Sequence, residues 1–199
     1  MSRFDQIRIA IRKDETLWRG WSHFRRIVFD YVRPDDSKTE LEWEVFDRGE
    51  AVAILLYDPK RRVVVMVRQF RIPVHLMGDQ PFLLEVPAGS MEHGEDPAET
   101  VCREAMEETG YQVAAPRHLF SAYTSPGAVT EKVHFYFARI EAAHKTADGG
   151  GLAEEHEDIE ITELSLDDAM TMIADGRICD AKTIMLLQWA ALNPDALSP

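Results

Sequence analysis

The chain has 199 residues, 45% hydrophobic and 29% charged, and its 35 acidic against 22 basic residues give a formal charge of −13. This composition suits one folded domain with a small accessory element, and it excludes a disordered chain or a disulfide-rich scaffold. The acidic balance also argues against nucleic acid as a partner, because proteins that bind phosphate backbones carry a basic face.

No stretch of the sequence predicts a membrane anchor or a secretion signal. The longest apolar run, residues 51–57, is far shorter than the ~20 residues that a membrane-spanning helix needs. The start of the chain is charged throughout and lacks the apolar core of a signal peptide. Cys102 and Cys179 have no metal-binding spacing. We therefore expect a soluble, cytoplasmic protein with no membrane partner.

The first half of the chain predicts a succession of β-strands. Strands are expected at 27–33 and 41–48, joined by a polar turn, and at 51–57 and 63–67, joined by a turn that begins with Asp-Pro. A further short strand is expected within 81–89, where a proline and a glycine stop it.

The clearest helix follows these strands. Asp96 is a suitable N-cap, Pro97 suits the first helical position, and Gly110 suits the C-terminal cap. Together these signals predict a helix over residues 97–109.

The remainder of the chain returns to strands and then ends in helices. Strands are expected at 118–123 and 132–140, followed by a glycine-rich stretch and the acidic segment 152–161. Two helices are expected to close the chain within 165–192. Strands around a central helix, with further helices at the end, predict an α+β layered fold.

The central helix concentrates carboxylates on one face. Glu104 precedes Glu107 by three residues and Glu108 by four, and like charges at those spacings repel by roughly a few tenths of a kcal/mol per pair. A divalent cation would relieve that repulsion, because Mg²⁺ and Mn²⁺ prefer clustered oxygen ligands. A solvated acidic face is the other interpretation. The spacing alone leaves both open.

The residues around this cluster form a longer motif. Residues 89–111 match every fixed position of G-x(5)-E-x(7)-R-E-U-x-E-E-x-G-U, with apolar residues at both U positions. On this motif the chain is identified as a member of the Nudix hydrolases. The resemblance implies a Nudix fold (an α/β/α sandwich with a mixed sheet), a Mg²⁺ or Mn²⁺ cofactor, and hydrolysis of a nucleoside diphosphate linked to another group. The fixed positions are Gly89, Glu95, Arg103, Glu104, Glu107, Glu108 and Gly110.

The resemblance also implies roles for these residues. Glu104 and Glu108 become the principal metal ligands and thereby catalytic residues, with the backbone carbonyl of Ala88 as a further ligand. Glu107 is a third ligand or an outer partner of the site. The other fixed residues are structural and brace the loop against the helix: Gly89, Glu95, Arg103 and Gly110.

A second resemblance lies in the acidic loop at 146–160. Residues 151–161 are similar to the mobile loop of bacterial ADP-ribose pyrophosphatases, which brings a glutamate into the active site. Matched residue by residue, Glu155 becomes the general base and Glu157 an additional metal ligand. The neighbouring Glu154 is an alternative base. The preceding glycines would allow the loop to close over substrate.

Other residues resemble the substrate contacts of two related branches. Arg71 matches a phosphate-binding arginine in both, and a guanidinium suits bidentate phosphate contact. Glu131 follows an SPG turn typical of the ADP-ribose enzymes, where it contacts substrate or metal. Lys182 matches a lysine that reaches substrate in the GDP-mannose branch. ADP-ribose and GDP-mannose both stay open as the small-molecule substrate.

The N-terminal region resembles the part of these enzymes that binds the base and forms the dimer. Glu44 aligns with the base-contact segment, while Trp21 and Trp43 are either stacking surfaces or core and dimer contacts. The resemblance implies a homodimer that exchanges an N-terminal strand region at 1–48, ahead of a Nudix domain at 49–199. Two alternatives remain: a non-catalytic nucleotide-sugar sensor and a house-cleaning nucleoside triphosphatase.

Overall fold

The computed structural model describes residues 2–198, apart from the side chain of Glu155. The chain divides into two compact units. One comprises the described residues up to Gly49 together with Tyr123–Lys132, and the other comprises Glu50–Ala122 and the described residues from Val133 onward.

The first unit is built on a three-stranded antiparallel sheet in the order β1-β2-β3. Hydrogen bonds also join Phe46 to the 123–132 segment, where its N–H donates to the Ala128 carbonyl at 2.8 Å. The sequence analysis missed β1, because half of its residues are charged and its apolar residues do not alternate along the whole strand. The strands are β1 Arg8–Arg19, β2 His23–Val32 and β3 Lys38–Asp47.

The second unit contains a seven-stranded sheet in the order β10-β5-β4-β9-β8, in which β6 also pairs with β5 and β7 with β4. The predicted strand at 81–89 is in fact two strands. The chain leaves β5 for β4 at Val86-Pro87, where the Pro87 carbonyl accepts the Ile54 N–H at 3.0 Å. The strands are β4 Glu50–Asp58, β5 Val63–Phe70, β6 Phe82–Glu85, β7 Ala88–Ser90, β8 Arg117–Tyr123, β9 Lys132–Arg139 and β10 Glu160–Ser165.

Within residues 2–198, four α-helices accompany this sheet. The predicted central helix is confirmed: Asp96 accepts the N–H groups of Ala98 and Glu99, and Gly110 ends the helix with a φ of 75°. The two C-terminal helices are confirmed as well, and the sequence analysis missed the short first one. The helices are α1 Ile72–Leu76, α2 Pro97–Thr109, α3 Leu166–Ala174 and α4 Ala181–Leu192.

The core of this unit lies on both faces of the sheet. Successive residues of β4 point to opposite faces, so Ile54 packs with Val101 of α2 on one face while Leu55 packs with Leu186 of α4 on the other. Helices on both faces make this unit an α/β/α sandwich, which confirms the predicted architecture. No helix within residues 2–198 is long and apolar enough to cross a membrane.

Candidate active site

The two principal carboxylates of the motif lie where α2 meets β7. Glu108 Oε2 accepts the N–H of Ala88 at 3.1 Å. The carboxylate of Glu104 occupies the space beside Gly89, where a Cβ atom would overlap it. Glycine at position 89 therefore leaves room for the Glu104 carboxylate in this position, and any larger residue would force that carboxylate to move.

Burial makes these two carboxylates difficult to ionise. Glu108 is 2% exposed, and its burial, reinforced by the charges of Glu104 and Glu157, raises its pKa to about 8. Burial likewise raises the pKa of Glu104 to about 7, with smaller contributions from Glu107 and Glu157. A cluster of buried carboxylates with raised pKa values favours either protons or a bound cation.

Arg103 partly neutralises this cluster from the helix surface. Its guanidinium pairs with Glu104 at 2.9 Å and with Glu107 at 2.8 Å. Glu95 fixes the loop before the helix, because its Oε2 accepts the N–H of Glu92 at 2.8 Å and the hydroxyl of Thr100 at 3.1 Å. These contacts support the structural roles that the sequence analysis gives to Glu95 and Arg103.

The acidic loop is attached to the C-terminal end of α2. Gly150 donates to the Glu108 carbonyl at 2.9 Å, and Gly151 donates to the Glu107 carbonyl at 3.0 Å. Both glycines have positive φ values that other residues rarely adopt. The Glu157 carboxylate accepts the N–H of Leu152 at 3.0 Å, and it acts electrostatically on Glu104 and Glu108. The loop therefore carries a third glutamate, whose charge acts on both buried carboxylates.

The candidate general base is defined only in part. Residues 153–155 form a 3₁₀ turn, but the side chain of Glu155 lies outside the described residues. The alternative base, Glu154, is exposed. The acidic segment predicted at 152–161 also extends into β10, which pairs with β5 through Ile161 and Val67.

Two predicted substrate contacts, Arg71 and Lys182, meet at a residue that the sequence analysis missed. Arg71 donates to both oxygens of Glu85, at 2.8 and 3.0 Å, and Lys182 donates to one of them at 2.5 Å. Glu85 is 1% exposed. The sequence did contain a signal for this residue, because Glu85 is the single charged residue of the otherwise apolar β6. A buried carboxylate needs a charged partner, so its presence there indicates an ion pair.

The other predicted substrate contacts, Glu44, Trp21 and Glu131, belong to the first unit. Glu131 accepts the Thr124 hydroxyl at 2.8 Å, and Glu44 is exposed on β3. Trp21 is 84% exposed, and the Arg48 guanidinium lies over its ring at 3.7 Å. Such an indole has one ring face available for stacking.

A further tryptophan of this unit, Trp43, has a packing role. Its ring makes an edge contact with Phe29 at a centroid distance of 5.7 Å. Trp43 is nevertheless 54% exposed, so the choice between a stacking surface and a core or dimer contact stays open.

The donor set of the cluster suits a hard divalent cation. All of its side chains offer carboxylate oxygens, which are the ligands that Mg²⁺ and Mn²⁺ prefer. Among the residues described, no three His, Cys, Asp or Glu side chains already converge at ligand distances. Arg103 supplies the positive charge at Glu104 and Glu107 in this arrangement.

Comparison with known proteins identifies the family. The model of the NUDIX domain matches residues 47–187. A GDP-mannose pyrophosphatase of Yersinia enterocolitica is 42% identical over 188 residues, which cover 94% of this chain and 97% of that protein. A GDP-mannose pyrophosphatase of Klebsiella pneumoniae is 40% identical over 92% of this chain and 91% of its own length. A solved structure described as an ADP compounds hydrolase superposes with a TM-score of 0.71 at 18% identity, covering 92% of this chain and 94% of that one.

Proposed function

This chain belongs to the Nudix family, and on that premise we propose that it hydrolyses the diphosphate of a nucleoside diphosphate sugar. The products are a nucleoside monophosphate and a sugar phosphate. One observation carries the proposal: Glu85, which bonds to Arg71 and Lys182, lies three residues before Ala88, whose N–H Glu108 accepts at 3.1 Å. A diphosphate requires both a metal site and cationic contacts.

GDP-mannose is the substrate that we place first. The relatives at 40–43% identity, which match more than nine-tenths of the chain, are named GDP-mannose pyrophosphatases. Lys182, the residue that points to this branch, lies beside Arg71 at Glu85. ADP-ribose is the second candidate, supported by the SPG turn and by the resemblance of the loop at 151–161.

The reaction depends on a divalent cation, and we propose Mg²⁺ or Mn²⁺ held by Glu104, Glu108, Glu157 and the Ala88 carbonyl. When bound, the cation screens the phosphate charge and makes water easier to deprotonate. Glu155 accepts the proton of the attacking water. Arg71 and Lys182 hold the diphosphate oxygens, and the bridging oxygen leaves with one of the two products.

The family resemblance also gives roles to three residues of the first unit. We assign base stacking to Trp21, a polar base contact to Glu44 and a substrate or metal contact to Glu131. We also propose that residues 1–48 exchange between two copies, ahead of the Nudix domain at 49–199. Exposed apolar side chains along β1, including Ile9 and Trp18, support a role in association. Light scattering should give the mass of a homodimer, and a monomer at micromolar concentration would contradict the exchange.

A substrate panel tests the reaction class. Purified protein with Mg²⁺ is offered GDP-mannose, ADP-ribose and nucleoside triphosphates in ¹⁸O-labelled water. We expect nucleoside monophosphate and sugar phosphate from a nucleotide sugar, with the label showing which phosphorus was attacked. Tight binding without product would favour the sensor alternative, and preferential hydrolysis of triphosphates would favour the house-cleaning alternative.

A further inference from the structure

We infer that Glu85 is a positioning residue that holds Arg71 and Lys182 side by side so that both cations contact one diphosphate. The inference rests on the proposed function, in which these two cations bind substrate. Glu85 itself neither contacts the substrate nor belongs to the Nudix motif. The geometry of the cationic pair nevertheless depends on Glu85.

The contacts of Glu85 join three separate segments. Glu85 ends β6, Arg71 follows β5, and Lys182 lies in the first turn of α4. Glu85 Oε1 accepts Arg71 Nε at 2.8 Å, while Oε2 accepts both Arg71 Nη2 at 3.0 Å and Lys182 Nζ at 2.5 Å. Because two nitrogens bond to the same oxygen, this carboxylate sets the separation of the two cations.

The start of α4 is secured beside the same carboxylate. Asp180, the N-cap of α4, accepts Lys182 Nζ at 2.9 Å and the Thr183 N–H at 2.9 Å. The Thr183 hydroxyl oxygen in turn accepts the N–H of Val86, the residue after Glu85, at 2.9 Å. Lys182 therefore reaches the site from a helix whose first turn is fixed on two sides.

Charge balance explains why a carboxylate is needed at this point. Glu85 and Asp180 together neutralise Arg71 and Lys182, and the Lys182 side chain is only 18% exposed. If Glu85 lost its charge, the Arg71 and Lys182 cations would repel one another, because both bond to the same oxygen and little solvent is present to screen them. Arg71, which is 38% exposed along its side chain, would then turn toward solvent.

Both cations keep donors for a ligand while bonded to Glu85. Within residues 2–198, Arg71 Nη1 makes no hydrogen bond, and two of the three Lys182 ammonium hydrogens suffice for Glu85 and Asp180. Two neighbouring cations with spare donors match the adjacent phosphates of a diphosphate better than a single phosphate. The pair thus selects a diphosphate over a monophosphate.

Glu85→Gln tests this role because glutamine preserves the shape of the side chain and removes its charge. We expect KM for GDP-mannose to rise at least about tenfold, the loss typical of one charge-assisted hydrogen bond, while kcat changes less. Calorimetry should show a similar loss of affinity for GDP and little change for GMP. Glu85→Asp keeps the charge and should therefore recover part of the loss in KM and part of the loss in GDP affinity.

The matched control is Asp58→Asn. Asp58 is also 1% exposed and accepts Arg61 Nε at 2.6 Å, so this change removes a comparable buried ion pair elsewhere in the same unit. It should lower the melting temperature and leave KM unchanged. If both variants raise KM equally, Glu85 serves the fold alone and the inference is wrong.

A double-mutant cycle separates positioning from a direct effect on stability. In a protein that already carries Arg71→Ala and Lys182→Met, Glu85→Gln should change KM by less than about twofold, because nothing remains for it to position. A full tenfold effect in that background would overturn the inference. If the wild type hydrolyses no nucleotide sugar, the proposed function fails, while the GDP and GMP affinities still test the positioning role.

Discussion

Glu108→Gln should abolish activity and yet stabilise the metal-free protein at neutral pH. The pKa of Glu108 is about 8 in the folded chain, against an ordinary value of 4.5. Since the folded state binds the proton more tightly, the stability contributed by this carboxyl is complete below about pH 4.5 and is lost as the pH rises toward 8. At pH 7 the two pKa values imply a penalty of about 3 kcal/mol, which glutamine does not carry.

Urea unfolding in EDTA measures this penalty directly. At pH 7 the free energy of unfolding of the Glu108→Gln variant should exceed that of the wild type by about 3 kcal/mol, and at pH 5 the difference should fall below about 1 kcal/mol. The amide oxygen of glutamine can still accept the Ala88 N–H, so the packing is preserved. Glu99→Gln, an exposed change on the same helix, should have no such effect. A Glu108→Gln variant no more stable than the wild type at pH 7 would show that burial does not penalise the ionised Glu108 carboxylate.

Three further outcomes test separate parts of the site. Glu155→Gln should lower kcat for GDP-mannose by about 100-fold with little change in KM, while the kcat of Glu154→Gln stays near that of the wild type. A larger loss of kcat in Glu154→Gln would identify Glu154 as the base. Gly89→Ala should lower both kcat and Mn²⁺ affinity, measured by calorimetry, because its methyl group displaces the Glu104 carboxylate; unchanged Mn²⁺ affinity would contradict this. Arg71→Lys should raise KM about tenfold in steady-state assays, because lysine lacks the bidentate fork, and a wild-type KM would remove Arg71 from substrate binding.

The parts of the fold that the sequence predicted are those with local signals. Helix α2 has a side-chain cap at Asp96 and a glycine cap at Gly110, and both act within a few residues of the helix ends. Residues 51–57 of strand β4 are all apolar because helices cover both faces of the strand. Such features depend little on the rest of the chain.

The parts that the sequence did not predict depend on distant partners. Strand β10 is an edge strand of mixed polarity, and its pairing with β5 is not visible from its own residues. The sequence predicted only a strand for the segment that contains Glu85. The role of Glu85 in the site comes from its bonds to Arg71 and to Lys182, which is 97 residues away along the chain. The motif identified the carboxylates, whereas their burial and mutual repulsion became visible only in the folded chain.

Metal-dependent hydrolysis is measured as the release of GMP and mannose 1-phosphate from GDP-mannose while Mg²⁺ is titrated into EDTA-treated protein. We expect no turnover before Mg²⁺ is added, saturable recovery afterwards, and no recovery in a variant that carries both Glu104→Gln and Glu108→Gln. Undiminished product release in excess EDTA, or from that double variant, would contradict this expectation.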